Sequence, residues 1–196
     1  MVRNFIGEAG NPDAAKGYLT DAAKASWQSD APPTIIAETF GTAPIPPPER
    51  KAQGDDGGND YTVVLTVTLL GRLGPDRAFV PRLGTAEYRV VVHRQTTEDP
   101  WRIQTPPPDV LITMPAFNLA YQRVSVYYFD PEFRVVVPDR RYIPAKPLVG
   151  APDRVIRLLL DGPSAALEGA VKTAIPTEAQ MAIWRSEERR VGKECR

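Results

Sequence analysis

The sequence predicts an α+β protein of two units, and three observations carry that reading. Residues 2–27 hold apolar side chains at helical spacing, with Val2, Phe5, Ile6 and Ala9 followed by Ala14, Ala15, Tyr18 and Leu19. Residues 61–70 and 86–94 instead alternate at a period of two: Val63, Leu65, Val67 and Leu69 stand against Thr62, Val64, Thr66 and Thr68. Residues 152–167 form the clearest helix signal, with Val155, Ile156, Leu158, Leu159 and Leu160 on one side. Pro152 suits the first turn, and Gly162-Pro163 provides a left-handed stop followed by a breaker. That apolar face needs a sheet to bury it. Two strand-like runs, residues 123–129 and 133–137, precede it, so strand, strand, helix is the smallest unit that closes a core there.

Taken in order, Asn11-Pro12-Asp13 is a turn that caps a second helix, and Thr20-Asp21 caps a third running towards Trp27. Pro32-Pro33 ends the helical region, and the β-branched stretch 34–40 reads as a first strand. Residues 42–60, rich in proline and then in Gly and Asp, read as an exposed loop. Gly71-Arg72-Leu73-Gly74 reads as a hairpin turn rather than a phosphate loop, because the Gly-Lys-Ser/Thr ending is missing. Residues 78–81 read as a short edge strand, and Trp101-Arg102-Ile103 closes the set. Helices followed by antiparallel strands predict helices on one face of a curved antiparallel sheet, a cone of the nuclear transport factor type. Pro106-Pro107-Pro108 interrupts the chain, and residues 109–122 read as an extended piece and a helical turn bridging to the second unit. The boundary is placed at 121. The second unit runs over 122–184, with a strand at 181–184.

The 24 basic and 24 acidic residues among 196 balance to zero, which argues against nucleic acid as a partner, since neutralising phosphates needs a basic excess. No run approaches the roughly 20 apolar residues that span a bilayer. Cys195 and His93 are the single residues of their kinds, too few for a zinc site. His93 reads as an ordinary strand residue, with no nucleophile grouped beside it. Asp55, Asp56, Asn59 and Asp60 do not match a calcium-loop spacing and read as a turn. Asp130 and Asp139 read as turn formers bracketing a hairpin. No catalytic residue, cofactor or metal is expected. Trp27 and Trp101 read as core or half-buried aromatics, with a partner surface as the alternative. Arg140-Arg141-Tyr142 reads as an exposed basic cluster on a solvated turn after a strand, the alternative being contact with lipid headgroups or a partner. Trp27, Arg140, Arg141 and Tyr142 are therefore the candidate partner surface.

Several runs together carry a family resemblance. They are Val2-Arg3-Asn4-Phe5-Ile6; Tyr18-Leu19-Thr20 with Trp27; Gly71-Arg72-Leu73-Gly74 with Ala78-Phe79-Val80-Pro81; Trp101-Arg102-Ile103; Tyr127-Tyr128-Phe129-Asp130-Pro131; Val136-Val137-Pro138-Asp139; and Leu158-Leu159-Leu160-Asp161-Gly162-Pro163-Ser164. In this order the chain resembles the amino-terminal part of the actinobacterial LpqB lipoproteins, with 1–121 as the amino-terminal domain and 122–184 as a partial GerMN domain. The resemblance implies a lipoprotein at the outer face of the cell membrane that associates with the extracytoplasmic domain of a sensor histidine kinase and modulates two-component signalling. GerMN domains also occur in spore and envelope proteins, which implies a cell-wall or carbohydrate-binding module as the alternative. The signal peptide and lipid-bearing cysteine of that family are not in this sequence, so the membrane anchor is expected upstream of Met1 and the chain as it stands is expected to be soluble. Residues 185–196 break every apolar pattern and read as a translated adapter tail, or alternatively as a natural charged helix.

Overall fold

The computed structural model describes residues 1–28, 31–45, 59–176 and 179. The expected strand at 181–184, the tail 185–196 with Cys195, and most of the proline- and glycine-rich loop lie outside the described residues. Three short helices open the chain: α1 (Val2–Gly7), α2 (Pro12–Lys16) and α3 (Asp21–Ser26). Their starts follow the capping signals, since Asn11 Oδ1 accepts from Ala14 N–H and Thr20 Oγ1 from Ala23 N–H.

A sheet follows, built from β1 (Thr34–Ile36), β2 (Gly41–Ile45), β3 (Asp60–Leu73), β4 (Phe79–His93), β5 (Arg102–Thr105) and β6 (Leu111–Thr113). Its order is β5-β4-β3-β1-β6, with β2 also on β3. β3 is long enough to take two neighbours end to end on one edge: β1 lies along Leu69–Arg72 and β2 along Thr62–Thr66. The expectation of a wholly antiparallel sheet is corrected at one place, because β1 and β6 pair in parallel. They are brought together from positions far apart in the sequence, so no hairpin forces them to run oppositely. Three local expectations also change. β2 takes the first residues of the predicted loop; the predicted edge strand at 78–81 and the strand at 86–94 fuse into one β4; and Gly71 to Leu73 lie within β3, so the turn falls at Gly74 to Ala78.

The alternation seen in the sequence places Leu65, Val67 and Leu69 inward, where Phe5, Ile6 and Leu19 of the helical segment cover them together with Val90 and Ile103. Full burial of each large apolar side chain contributes about 1.5–3 kcal/mol, so this face accounts for the helices docking on the sheet. Trp101 packs at the margin of this core, edge-on to Tyr61 at 5.1 Å. A β-bulge between Leu69 and Gly71 brings Phe79 against Gly71 so closely that a Cβ there would lie 2.4 Å from Phe79 Cζ.

α4 (Met114–Ala120) bridges the two units, its Phe117 packed with Ile35, Leu73 and Ile112, and the second unit holds β7 (Tyr121–Phe129) and β8 (Val136–Pro144) as an antiparallel pair, then α5 (Ala151–Leu160). The expected amphipathic helix is present, and Leu158 with Val155 and Leu159 packs on Val126, Tyr128 and Ile143. Gly162 adopts φ +90, the left-handed conformation expected just past a helix end. The second strand differs from the sequence reading. Residues 130–135 form the turn and β8 begins at Val136, so Asp139, Arg140, Arg141 and Tyr142 are strand residues rather than turn residues.

Candidate functional site at the domain junction

Placing 139–142 in a strand decides their exposure. With a period of two, Asp139, Arg141 and Ile143 point into the protein while Arg140 points out. Arg141 is 0% exposed, which corrects the expectation of an exposed three-residue cluster. The same geometry corrects Asp139, which is 3% exposed and is no turn former. Asp130 does form its turn, its Oδ1 accepting from Arg134 N–H at 2.6 Å and Val135 N–H at 2.8 Å.

Arg141 is the centre of a junction between the two units. Its Nη2 donates to Asp139 Oδ2 at 2.6 Å and to the Gly162 carbonyl at 2.9 Å, and its Nη1 donates to the Asp76 carbonyl in the β3–β4 turn. Asp139 Oδ2 also accepts from Ser164 N–H at 2.7 Å, and Asp76 Oδ2 accepts from Ala165 N–H at 3.1 Å. Tyr142 N–H donates to the Arg77 carbonyl at 2.9 Å beside a β-bridge between Ala78 and Arg141. The turn of the first unit, the strand β8 and the segment after α5 are thus tied through one guanidinium, whose planar set of donors suits several acceptors at once. A two-stranded sheet is marginally stable alone in water, so this junction and the aromatic contacts beside it supply support that β7–β8 lacks by itself.

Burial acts to raise the Asp139 pKa, but the Arg141 hydrogen bond and the Ser164 backbone and hydroxyl act against it, and the net result lies below the ordinary carboxylate value of 3.8. A depressed folded-state pKa contributes stability that is fully present above the unfolded value and is lost as pH falls through the folded value. Urea midpoints are therefore expected to be similar at pH 7 and pH 5 in respect of this pair and to drop below about pH 4. Asp139→Asn should be less stable at neutral pH and show a smaller drop on acidification. Equal acid sensitivity of the variant and the parent chain would show that the pair does not set it.

The other sequence-predicted residues are not gathered with Arg141 into one surface. Trp27 is half-buried, packs on Phe5 with ring centroids 5.4 Å apart, and touches both cores of the first unit. Tyr142 is half-buried against Phe117 at 5.0 Å. Arg140 is exposed. His93 Nδ1 lies 2.6 Å from Asp60 Oδ1 across the first rung of β3–β4, a strand-end pair. Among the described residues no group of His, Cys, Asp and Glu could hold a metal ion, and no helix is long and apolar enough to cross a membrane. Sequence reasoning missed Asp76 and Arg77, which read only as part of a turn. The available signal was a charged pair two apart, Asp139 and Arg141, followed by Ile143 at the same spacing, since a period of two puts all three on one face.

Fold and junction together define a two-unit α+β protein whose small carboxy-terminal hairpin-and-helix unit is clamped to a larger helix-on-sheet unit. The family model described as the lipoprotein LpqB amino-terminal domain matches residues 1–118, and one described as sporulation and spore germination (Germane) matches residues 125–188. The chain belongs to the LpqB lipoprotein family. It is 31% identical over 183 residues to the lipoprotein LpqB of Rhodococcus opacus, 89% of this chain and 28% of the relative. The figures are 30% over 183 residues for the Rhodococcus jostii protein (89% and 28%) and 29% over 184 residues for that of Streptomyces coelicolor (87% and 29%). The chain thus spans less than a third of the length of the curated relatives it matches. No solved structure matches it.

Proposed function

We propose that the chain is a non-catalytic binding module of an envelope lipoprotein. In the full-length protein a lipid anchor holds it at the outer face of the cell membrane, where it docks on the extracytoplasmic domain of a sensor histidine kinase and modulates two-component signalling. The observation that carries this reading is the succession of the two family matches, along a chain whose relatives are named lipoproteins. Two structural features support binding over chemistry. The inner face of the large sheet is filled by Leu65, Val67 and Val90, with Trp101 packed at its margin. The junction at Arg141 joins the two units, so a partner would meet them in a fixed relative arrangement. Of the predicted contact residues, Arg140 is exposed and Trp27 and Tyr142 are half-buried, so these three keep accessible surface while Arg141 does not.

The test is a biolayer interferometry titration of the folded chain against the kinase extracytoplasmic domain from the same organism. Saturable binding at micromolar concentrations or tighter is expected, weakened by Arg140→Glu. A folded chain that does not bind overturns the reading. The description of the second family match favours one other reading, a cell-wall or carbohydrate-binding module. Retention on purified peptidoglycan without kinase binding would select it.

A further inference from the structure

The two units meet over a cavity of about 660 Å³ that none of the residues discussed so far as a partner surface lines. Its volume lies within the range of small-molecule sites, and domain junctions are where such sites concentrate. One wall is apolar, formed by Val110, Ile112, Ala116 and Ala120 with Pro33 and Pro144. The charged groups are few and unequal: Arg77 and Lys146 stand against Glu8.

Arg77 is the informative residue. It is half-buried, and among the described residues its side chain makes no hydrogen bond or ion pair. Its backbone sits at φ 64, in the left-handed region that residues other than glycine rarely adopt. Glycine would make the same turn without that strain, and strain of this kind marks functional positions. The backbone is fixed there from both sides, with Arg77 N–H donating to the Gly74 carbonyl and its own carbonyl accepting from Tyr142. The guanidinium is thus held at a junction cavity with its donors unspent. Lys146, just past the end of β8, likewise makes no ion pair among the described residues. Arg154 braces the loop that carries it, donating to the Pro147 carbonyl at 2.6 Å and the Val149 carbonyl at 3.3 Å.

Two unpaired cations against one carboxylate, beside an apolar wall, match one ligand chemistry. We propose that the junction cavity binds a small anionic amphiphile, a carboxylate or phosphate on an apolar body. Arg77 and Lys146 receive the anion, and Val110, Ile112, Ala116 and Ala120 receive the apolar part. The ligand bridges the two units, because Arg77 and Val110 belong to the first and Lys146 to the second. This site goes beyond kinase docking and does not depend on it.

The probes are dodecanoate, dodecyl phosphate and dodecanol, each below its micellar concentration, followed by amide NMR and by calorimetry on the full chain. Saturable binding of the two anions is expected, with shifts at Ala116, Ala120 and Val110 and with dodecanol binding at least tenfold more weakly. Arg77→Gln and Lys146→Gln should each weaken anion binding by roughly tenfold, the scale of a lost charge-assisted hydrogen bond. Glu8→Gln should tighten it, a sign that adventitious hydrophobic binding would not produce. If Arg77→Gln does not fold, the Lys146 and Glu8 variants carry the test alone. Equal binding of dodecanol, shifts confined to other surfaces, or affinities unchanged in the folded variants would each overturn the proposal. Co-sedimentation with phosphatidylglycerol vesicles that Lys146→Gln abolishes would identify a membrane lipid as the source of the anion. Binding of the monomeric amphiphiles without co-sedimentation would identify a free one.

Discussion

Arg141→Ala is expected to lower the unfolding free energy by about 3–5 kcal/mol, the scale found when one partner of a buried ion pair is removed. The reason is less the lost attraction than what remains. Asp139, 3% exposed, would keep its charge next to Ser164 with no cation, and the Asp76 and Gly162 carbonyls would lose their donor. A second substitution separates these causes. Arg141→Met with Asp139→Leu removes both charges and keeps much of the volume, so it should recover most of the loss. Urea denaturation followed by circular dichroism gives both numbers. If Arg141→Ala costs under 1 kcal/mol, or if the double variant is no better than the single, the pair is not the clamp described above. Since the guanidinium reaches from β8 to the β3–β4 turn and the segment after α5, the single variant should also separate the melting of the two units. Limited proteolysis would then cut first within residues 121–176 while the first unit stays protected.

Phe117→Ala is the second large effect, expected to cost about 3–5 kcal/mol, as truncation of a buried phenylalanine does. Phe117 is 1% exposed and lies on α4, the helix that leads directly into β7. Its ring stacks on Tyr121 at 4.9 Å and meets Tyr142 at 5.0 Å, while the same cluster holds Ile35, Leu73 and Ile112 of the large sheet. The residue therefore contributes to both units at once. Phe117→Leu, which keeps most of the apolar volume, should recover the greater part of the loss. A cost for Phe117→Ala within about 1 kcal/mol would mean that the site collapses without penalty and that the aromatic group is not a joint.

Phe117 packs on Tyr142, the chain neighbour of Arg141 in β8, so the effects of the two substitutions should not add. A double variant that costs less than the sum of the two singles would support one cooperative junction. Strict additivity would mean two separate attachments.

What was legible in the sequence was local. Asn11 and Thr20 marked helix starts because a side-chain oxygen at an N-cap satisfies a donor two or three residues away. Leu65, Val67 and Leu69 marked a buried strand face because side chains alternate strictly along a strand. Val155, Leu158 and Leu159 marked a helix that needed a sheet, and the hairpin in front of it is the sheet they received. The ordered runs from Val2-Arg3-Asn4-Phe5-Ile6 to Gly162-Pro163-Ser164 also carried the family, because a series of fixed residues in fixed order is a property of the chain itself.

Tertiary structure decided the rest. The parallel pairing of β1 with β6 joins residues 77 apart, Thr34 with Leu111, and nothing within either three-residue strand encodes its partner. The fate of Arg140-Arg141-Tyr142 turned on where β8 starts. A shift of the strand from 133–137 to Val136–Pro144 turned a solvated basic cluster into a buried clamp, because with a period of two the register alone chooses which side chain enters the core. Charge told nothing of this in advance, since an arginine is placed in the interior only where acceptors from several distant segments converge, here Asp139, Asp76 and Gly162. The cavity between the units has the same origin: Arg77, Val110 and Lys146 are ordinary residues in sequence and form a site only because two units close over them.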